Sequence, residues 1–280
     1  MSSISRDQIE TAIKQYIDPY LESDLVTAKA VKNIAEDNGK VAIDVVLGFP
    51  AKGHHDELTA KLKETVGAVD GVTDVAVNID TKIDAHTTQK GVKPIDQVKN
   101  IIAIASGKGG VGKSTTAVNL AMALAAEGAS VGILDADIYG PSQPRMLGVD
   151  QKPDSKDGKS LEPLMGHGVQ SMSIGYLIDE ETPMIWRGPM VTQALEQLLN
   201  DTNWVDVDYL IIDLPPGTGD IQLTLAQKVP VSGAVIVTTP QDIALLDARK
   251  ALKMFEKVDV HVLGIIENMS IHICSQCGHE

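Results

Sequence analysis

The sequence predicts an α/β protein, a mostly parallel sheet domain with a phosphate-binding loop, preceded by a smaller α/β unit. Three observations predict it. Short aliphatic runs recur from residue 100 onward, and where two of them flank a helix-length stretch they read as the buried strands of β-α-β units. The segment Gly107-Lys108-Gly109-Gly110-Val111-Gly112-Lys113-Ser114-Thr115 fits the template G-x-x-x-x-G-K-[ST] with an apolar run before it and a helix-forming run after it. The residues before 82 carry their own alternation of helical and strand-like periods, separated from the rest by a polar stretch.

In chain order, Ile9, Ile13, Tyr16, Ile17, Tyr20 and Leu21 have the spacing of an amphipathic helix that Asp18-Pro19 interrupts. Lys40 to Leu47 partly alternates as a half-buried strand, His55 to Val69 reads as a helix, and Val72 to Ile79 as another strand. These form a predicted small domain over residues 1–81. Residues 82–99 are polar, aperiodic and hold one Gly and one Pro, which predicts a flexible linker and motion between domains. The larger domain is predicted to fill residues 100–280.

That larger domain opens with the strand Ile101 to Ala105 and the glycine-rich loop. The loop glycines let backbone N–H groups turn inward around phosphate oxygens, and the helix N-terminus following adds partial positive charge. Lys113 is placed to reach the β- and γ-phosphates of ATP, with the Ser114 hydroxyl on Mg²⁺. Ser130 to Leu134 reads as a buried strand delivering Asp135 and Asp137 at its carboxyl end, the edge where ligands sit in open α/β sheets. Tyr209 to Ile212 ends in Asp213 and runs into Leu214-Pro215-Pro216-Gly217-Thr218-Gly219-Asp220, the arrangement that holds Mg²⁺ directly or through water. Between these strands Lys152 to Lys159 reads as a charged surface loop, and Trp204 as core. Ala234 to Thr238, a helix over Ile243 to Val258, and Val260 to Ile266 form a β-α-β unit; right-handed crossovers then put every motif on one sheet edge. Cys274 and Cys277, the two cysteines of the chain, close this domain as a C-x-x-C pair, read as a metal or redox site rather than a staple. His272 and His279 beside them read as surface residues, with spare metal ligands as the alternative, since His is a common zinc partner of such pairs.

Composition excludes several classes. A formal net charge of −14 argues against nucleic acid as a partner, which needs a basic face. No apolar run is long enough to span a bilayer and Met1 to Arg6 has no apolar signal region, so no membrane partner and a cytoplasmic location are expected. At 280 residues and 43% hydrophobic, the chain has material for a full α/β core and a second small one.

Several longer segments extend the motif set: Asp135-Ala136-Asp137-Ile138-Tyr139-Gly140-Pro141-Ser142, Trp186-Arg187-Gly188-Pro189-Met190, Asp213 to Asp220, Thr238-Thr239-Pro240-Gln241-Asp242, Glu267-Asn268-Met269-Ser270 and Cys274-Ser275-Gln276-Cys277-Gly278. In order and phrasing the chain from Asn100 to Glu280 resembles the deviant-Walker-A P-loop ATPases of the MinD/ParA superfamily, and within them the Mrp/ApbC family of iron–sulfur cluster carriers. The resemblance implies an ATP-dependent carrier or scaffold that passes clusters to apo iron–sulfur proteins, works with cluster-assembly factors and hydrolyses ATP as a homodimer. By it Lys108 is the signature lysine that reaches the partner's nucleotide, Asp137 orients the attacking water, Asn268 reads adenine, and Cys274 and Cys277 hold a 4Fe-4S cluster bridging two chains. The segment before residue 82 resembles the small α/β iron–sulfur-assembly domain that precedes such ATPases, through Asp18-Pro19, Ser23-Asp24-Leu25-Val26 and Gly71-Val72-x-x-Val75-x-Val77. The family pattern runs on past Glu280 with further helices and strands, so the chain is expected to be a C-terminally shortened part of it. The alternative reading is a regulatory or positioning ATPase whose cysteine pair binds zinc structurally.

Overall fold

The computed structural model describes residues 4–87, 92–178 and 188–279, and the chain divides into two compact units, Met1–Asp84 and Ala85–Glu280. Trp186 and Arg187 lie outside the described residues, as do the side chains of Gly188 and Pro189.

In the first unit, α1 (Arg6–Ile13) starts at a capping box in which Ser5 and Gln8 satisfy each other's backbone N–H groups. The predicted helix stops far short of Leu21. The Asp18 carboxylate accepts from the backbone N–H groups of Tyr20 and Leu21 at 2.9 and 3.0 Å, a local turn that competes with helix, and Pro19 supplies no donor. Ile17–Asp18 is instead a short strand, β1, paired with β2 (Ser23–Asp24). β3 (Val31–Asp37), which the sequence reading did not assign, runs antiparallel to β4 (Lys40–Leu47). After a single turn of 3₁₀ helix, α2 (His55–Gly67) crosses over to β5 (Asp74–Thr81), parallel to β4. The alternation in β4 is borne out: Val41, Ile43, Val45 and Leu47 are buried, facing Leu58, Leu62 and Val66 of the helix within one core.

The second unit is a seven-stranded sheet. Its elements are β6 (Val98–Ser106), α3 (Lys113–Ala126), β7 (Val131–Asp135), α4 (Gln143–Leu147), β8 (Leu164–Gly166), β9 (Val169–Ser173), α5 (Gly188–Asn200), β10 (Val207–Asp213), α6 (Asp220–Lys228), β11 (Gly233–Thr238), α7 (Asp242–Lys257) and β12 (Val262–Glu267). The strand order is β12-β11-β6-β10-β7-β9-β8, every neighbour parallel except β8 against β9. β6 takes in Val98 and Lys99, which the sequence placed in the linker; both precede the apolar run whose burial signals the strand. The central strands are buried nearly end to end, as β7 is at all five positions, so they read as continuous apolar runs. Ala117 and Ala121 of α3 are fully buried, and such small side chains bring that helix close to the sheet. Trp204 is core, 3% exposed, with its indole N–H donated to the Leu199 carbonyl at 3.2 Å.

Because β6, β7, β10, β11 and β12 are parallel, their carboxyl ends share one edge. The segments that follow each of them there are the glycine loop, the 135–143 loop, the 214–220 loop, Thr239 onward, and Asn268 onward.

Candidate functional site

The loop 107–112 leaves β6 and ends in the left-handed conformation that only glycine adopts freely, φ +80° at Gly110 and +89° at Gly112. Two close approaches fix its course. A Cβ on Gly107 would lie 2.3 Å from the Asp247 backbone carbon of α7, and one on Gly112 would lie 2.3 Å from Asn268 Nδ2. Asn268 holds the loop from its other side, donating that amide to the Val111 carbonyl at 2.9 Å while its Oδ1 accepts from Met269 N–H. Ser106 Oγ donates to the Lys108 carbonyl at 2.9 Å, and Gly217 N–H donates to the Ser106 carbonyl. Val111 is buried; Lys108, Gly109, Gly110 and Thr115 are exposed.

Lys113 opens α3 and is buried at 6% exposure, an unusual place for an ammonium. Its Nζ lies 2.5 Å from Asp213 Oδ1, 3.6 Å from Asp137 Oδ2 and 3.2 Å from Ser114 Oγ. The sequence-assigned Lys113, Ser114, Asp137 and Asp213 are therefore brought together around one nitrogen. Asp213 is fully buried at the end of β10, in register with Asp135 at the end of β7.

Asp135 organises the loop that bears Asp137. Its Oδ1 accepts from Asp137 N–H at 3.1 Å, and its Oδ2 from Ser142 N–H at 2.9 Å, Gln143 N–H at 3.0 Å and the Ser173 hydroxyl at 3.2 Å. Burial, aided by the Asp213 carboxylate, pushes the Asp135 carboxyl up to about 7 despite those donors. Burial also raises the Asp137 carboxyl, with Lys113 opposing it.

Gln143 escaped the sequence reading. It is fully buried, and its Nε2 donates to Asp213 Oδ2 at 2.9 Å and to the Ser114 carbonyl at 3.0 Å. Ser142-Gln143-Pro144 carried one signal, a proline suited to a helix's first turn, but nothing in spacing marks a buried glutamine as a partner of Asp213.

Hard oxygen donors suit Mg²⁺, and the site offers Ser114 Oγ and the Asp213 carboxylate on either side of the Lys113 ammonium. The donor set fits the ion, and these two residues would hold it.

The cysteines sit beyond β12. Cys274 N–H donates to the His279 carbonyl and Gly278 N–H to the Cys274 carbonyl, both at 2.9 Å, closing a tight turn. Cys274 is half-buried and Cys277 exposed. Backbone N–H groups of Cys277 and Gln276 stabilise the Cys274 thiolate and lower its pKa, which favours soft-metal ligation. Among the described residues no third His, Cys, Asp or Glu joins them as a potential ligand. Nor, among those residues, is any helix long and apolar enough to cross a membrane.

Comparisons with known proteins agree with this construction. A family profile described as "NUBPL iron-transfer P-loop NTPase" matches residues 97–280, and one described as "Iron-sulfur cluster assembly protein" matches residues 6–79. The "Iron-sulfur cluster carrier protein" of Escherichia coli is 52% identical over 275 residues, covering 98% of this chain and 74% of that protein. The mouse "Iron-sulfur cluster transfer protein NUBPL" is 54% identical over 190 residues, 67% of this chain and 60% of its own. Among solved structures, a nucleotide-binding protein of Archaeoglobus fulgidus in complex with ADP matches with a TM-score of 0.57 and 42% identity, covering 66% of this chain and 72% of that one.

Proposed function

The chain belongs to the family of NUBPL-type iron-transfer P-loop NTPases, and from that premise we propose that it carries iron–sulfur clusters to apoproteins, with ATP hydrolysis gating loading and release. Its P-loop NTPase fold is that of a nucleotide hydrolase. The observation that supports the coupling is placement: the phosphate loop, the switch aspartate and the thiolate pair all leave the same edge of one sheet.

Lys113 holds the β- and γ-phosphates of ATP after exchanging its carboxylate partners for them, and the loop N–H groups between Gly107 and Thr115 cradle the rest. Mg²⁺, when bound, neutralises charge developing on the phosphates. Asp137, at 13% side-chain exposure, is open enough to orient a water toward the γ-phosphate. Lys108, exposed in the loop, acts on a second chain's nucleotide in this reading. Asn268 lies against the loop and lines the nucleotide's base end in this reading.

The cluster is cargo. Two thiolates from one chain leave half the ligand shell of a cubane open, so two chains facing each other complete it. Loosening of such a homodimer on nucleotide turnover then releases the cluster to a recipient.

Anaerobic reconstitution with iron and sulfide tests this. About four irons per two chains and a brown visible absorption are expected, with none in Cys274→Ser/Cys277→Ser and ATP hydrolysis kept in both. Iron retained by the double variant, or one cluster per monomer, refutes the shared site. A colourless zinc-loaded protein would favour the structural-zinc alternative.

A further inference from the structure

Gln143 touches, with one side chain and its own backbone N–H, three parts of the site: Asp213, the Ser114 carbonyl and Asp135. The orientation of its amide is forced. Both protons of Nε2 go to acceptors that have no proton to give, a carboxylate and a carbonyl, so the flipped amide would set oxygen against oxygen on both. Oε1 is thereby turned away from both, into a buried place where it has no partner. The neighbouring Ser142 Oγ is likewise buried without one.

We propose that Gln143 is a positioning residue for the Mg²⁺–nucleotide: it clamps the Asp213 carboxylate and the Ser114 turn. The need for such a clamp follows from Lys113. Nζ is now the closest cation to Asp213, and a lysine that leaves for phosphate stops orienting that carboxylate. Gln143 keeps the second oxygen fixed through the exchange, because its donors are unaffected by the departure. It also ties Asp213 to the loop bearing Asp137, since the same residue's N–H closes that loop on Asp135. The inference rests on the assignment of Ser114 and Asp213 to Mg²⁺ made above.

Gln143→Met tests it, since methionine keeps the length and approximate volume while removing both donors and the orphaned oxygen. ADP affinity is measured by titration in EDTA and in millimolar Mg²⁺, alongside kcat and KM for ATP hydrolysis. Expected is EDTA affinity equal to wild type, a Mg²⁺-dependent gain in affinity reduced about 10–100-fold, as when partners of metal ligands are removed, and a loss in kcat larger than any change in KM. The apo unfolding midpoint should fall modestly, because the buried Asp213 Oδ2 and the Ser114 carbonyl lose a donor, and the titration is run below that midpoint; if the fall is too large for that, Gln143→Leu repeats the titration in a second apolar background. A Mg²⁺ gain unchanged in the folded variant overturns the inference while leaving the nucleotide site intact. Wild-type chain that binds ADP with no Mg²⁺ dependence overturns the metal assignment itself, and the inference with it.

Discussion

Lys113 should matter to stability before any nucleotide arrives. Its ammonium sits between the fully buried Asp213 and the largely buried Asp137, at 2.5 and 3.6 Å, with Asp135 in register beside Asp213. Lys113→Met keeps most of the stem and deletes the charge, leaving carboxylates buried together without a cation among them. Removing one partner of a buried pair costs about 3–5 kcal/mol, far more than the ~0–1 kcal/mol of an exposed pair. For a domain of this size that corresponds to a fall in unfolding midpoint of about 6–20 °C. The assay is urea or thermal unfolding of the nucleotide-free protein, with Lys108→Met, an exposed lysine of the same loop, as the control expected to lie within about 0.5 kcal/mol of wild type. Acidification should return part of the loss, because Asp135 and Asp137, whose carboxyls burial already raises, take up protons and relieve the repulsion. Lys113→Met within about 1 kcal/mol of wild type at pH 8 would refute the reasoning and show that water compensates the site.

Three further outcomes follow from particular contacts. Asp135 has a folded pKa of about 7 against about 3.9 unfolded, so the folded state holds its proton longer; its contribution to stability is full below about pH 4 and is lost as pH rises through 7, by on the order of 4 kcal/mol at most. Apo stability measured from pH 5 to 8 should therefore fall, and Asp135→Asn should flatten the slope; a parallel slope in the variant counts against it. Gly112→Ala must adopt φ +89° and push its methyl to 2.3 Å from Asn268 Nδ2, so it should lose about 1–3 kcal/mol and weaken nucleotide binding, while adding Asn268→Ala recovers the clash but not the backbone strain. If Lys108 acts across a dimer, ATP turnover per chain should rise with protein concentration and Lys108→Ala should abolish that rise; a rate per chain independent of concentration through the dimerisation range excludes the role.

What the sequence made legible was what local chemistry dictates. The order of the sheet motifs, the strand Lys40–Leu47 and the helix beginning at His55 followed from period and composition, and the site residues Lys113, Ser114, Asp137 and Asp213 do converge. The N-terminal helix was overextended because Tyr16, Ile17, Tyr20 and Leu21 keep a helical spacing that a side-chain turn at Asp18 overrides. β3 went unassigned because only Val31, Ile34 and Ala35 of its seven residues are apolar. Gln143 could not be found because its meaning is tertiary: its partners Ser114 and Asp213 are 29 and 70 residues away.

The charges of the site also decide in which form its ligand enters. Three carboxylates, Asp135, Asp137 and Asp213, converge where Lys113 is the nearest cation, so the resting site is negative even when a proton remains on Asp135. A bare nucleoside triphosphate brings more negative charge and withdraws Lys113 from Asp213, so it meets repulsion in a region too dry to screen it. A Mg²⁺ complex reverses the balance, because the ion supplies two charges beside the carboxylate that the lysine vacates. The fixed donors already there, Gln143 Nε2 on Asp213 and the N–H groups of Asp137, Ser142 and Gln143 on Asp135, hold those carboxylates in place without cancelling their charge. If Ser114 and Asp213 hold Mg²⁺ as proposed, such a site should discriminate the metal complex from the free nucleotide.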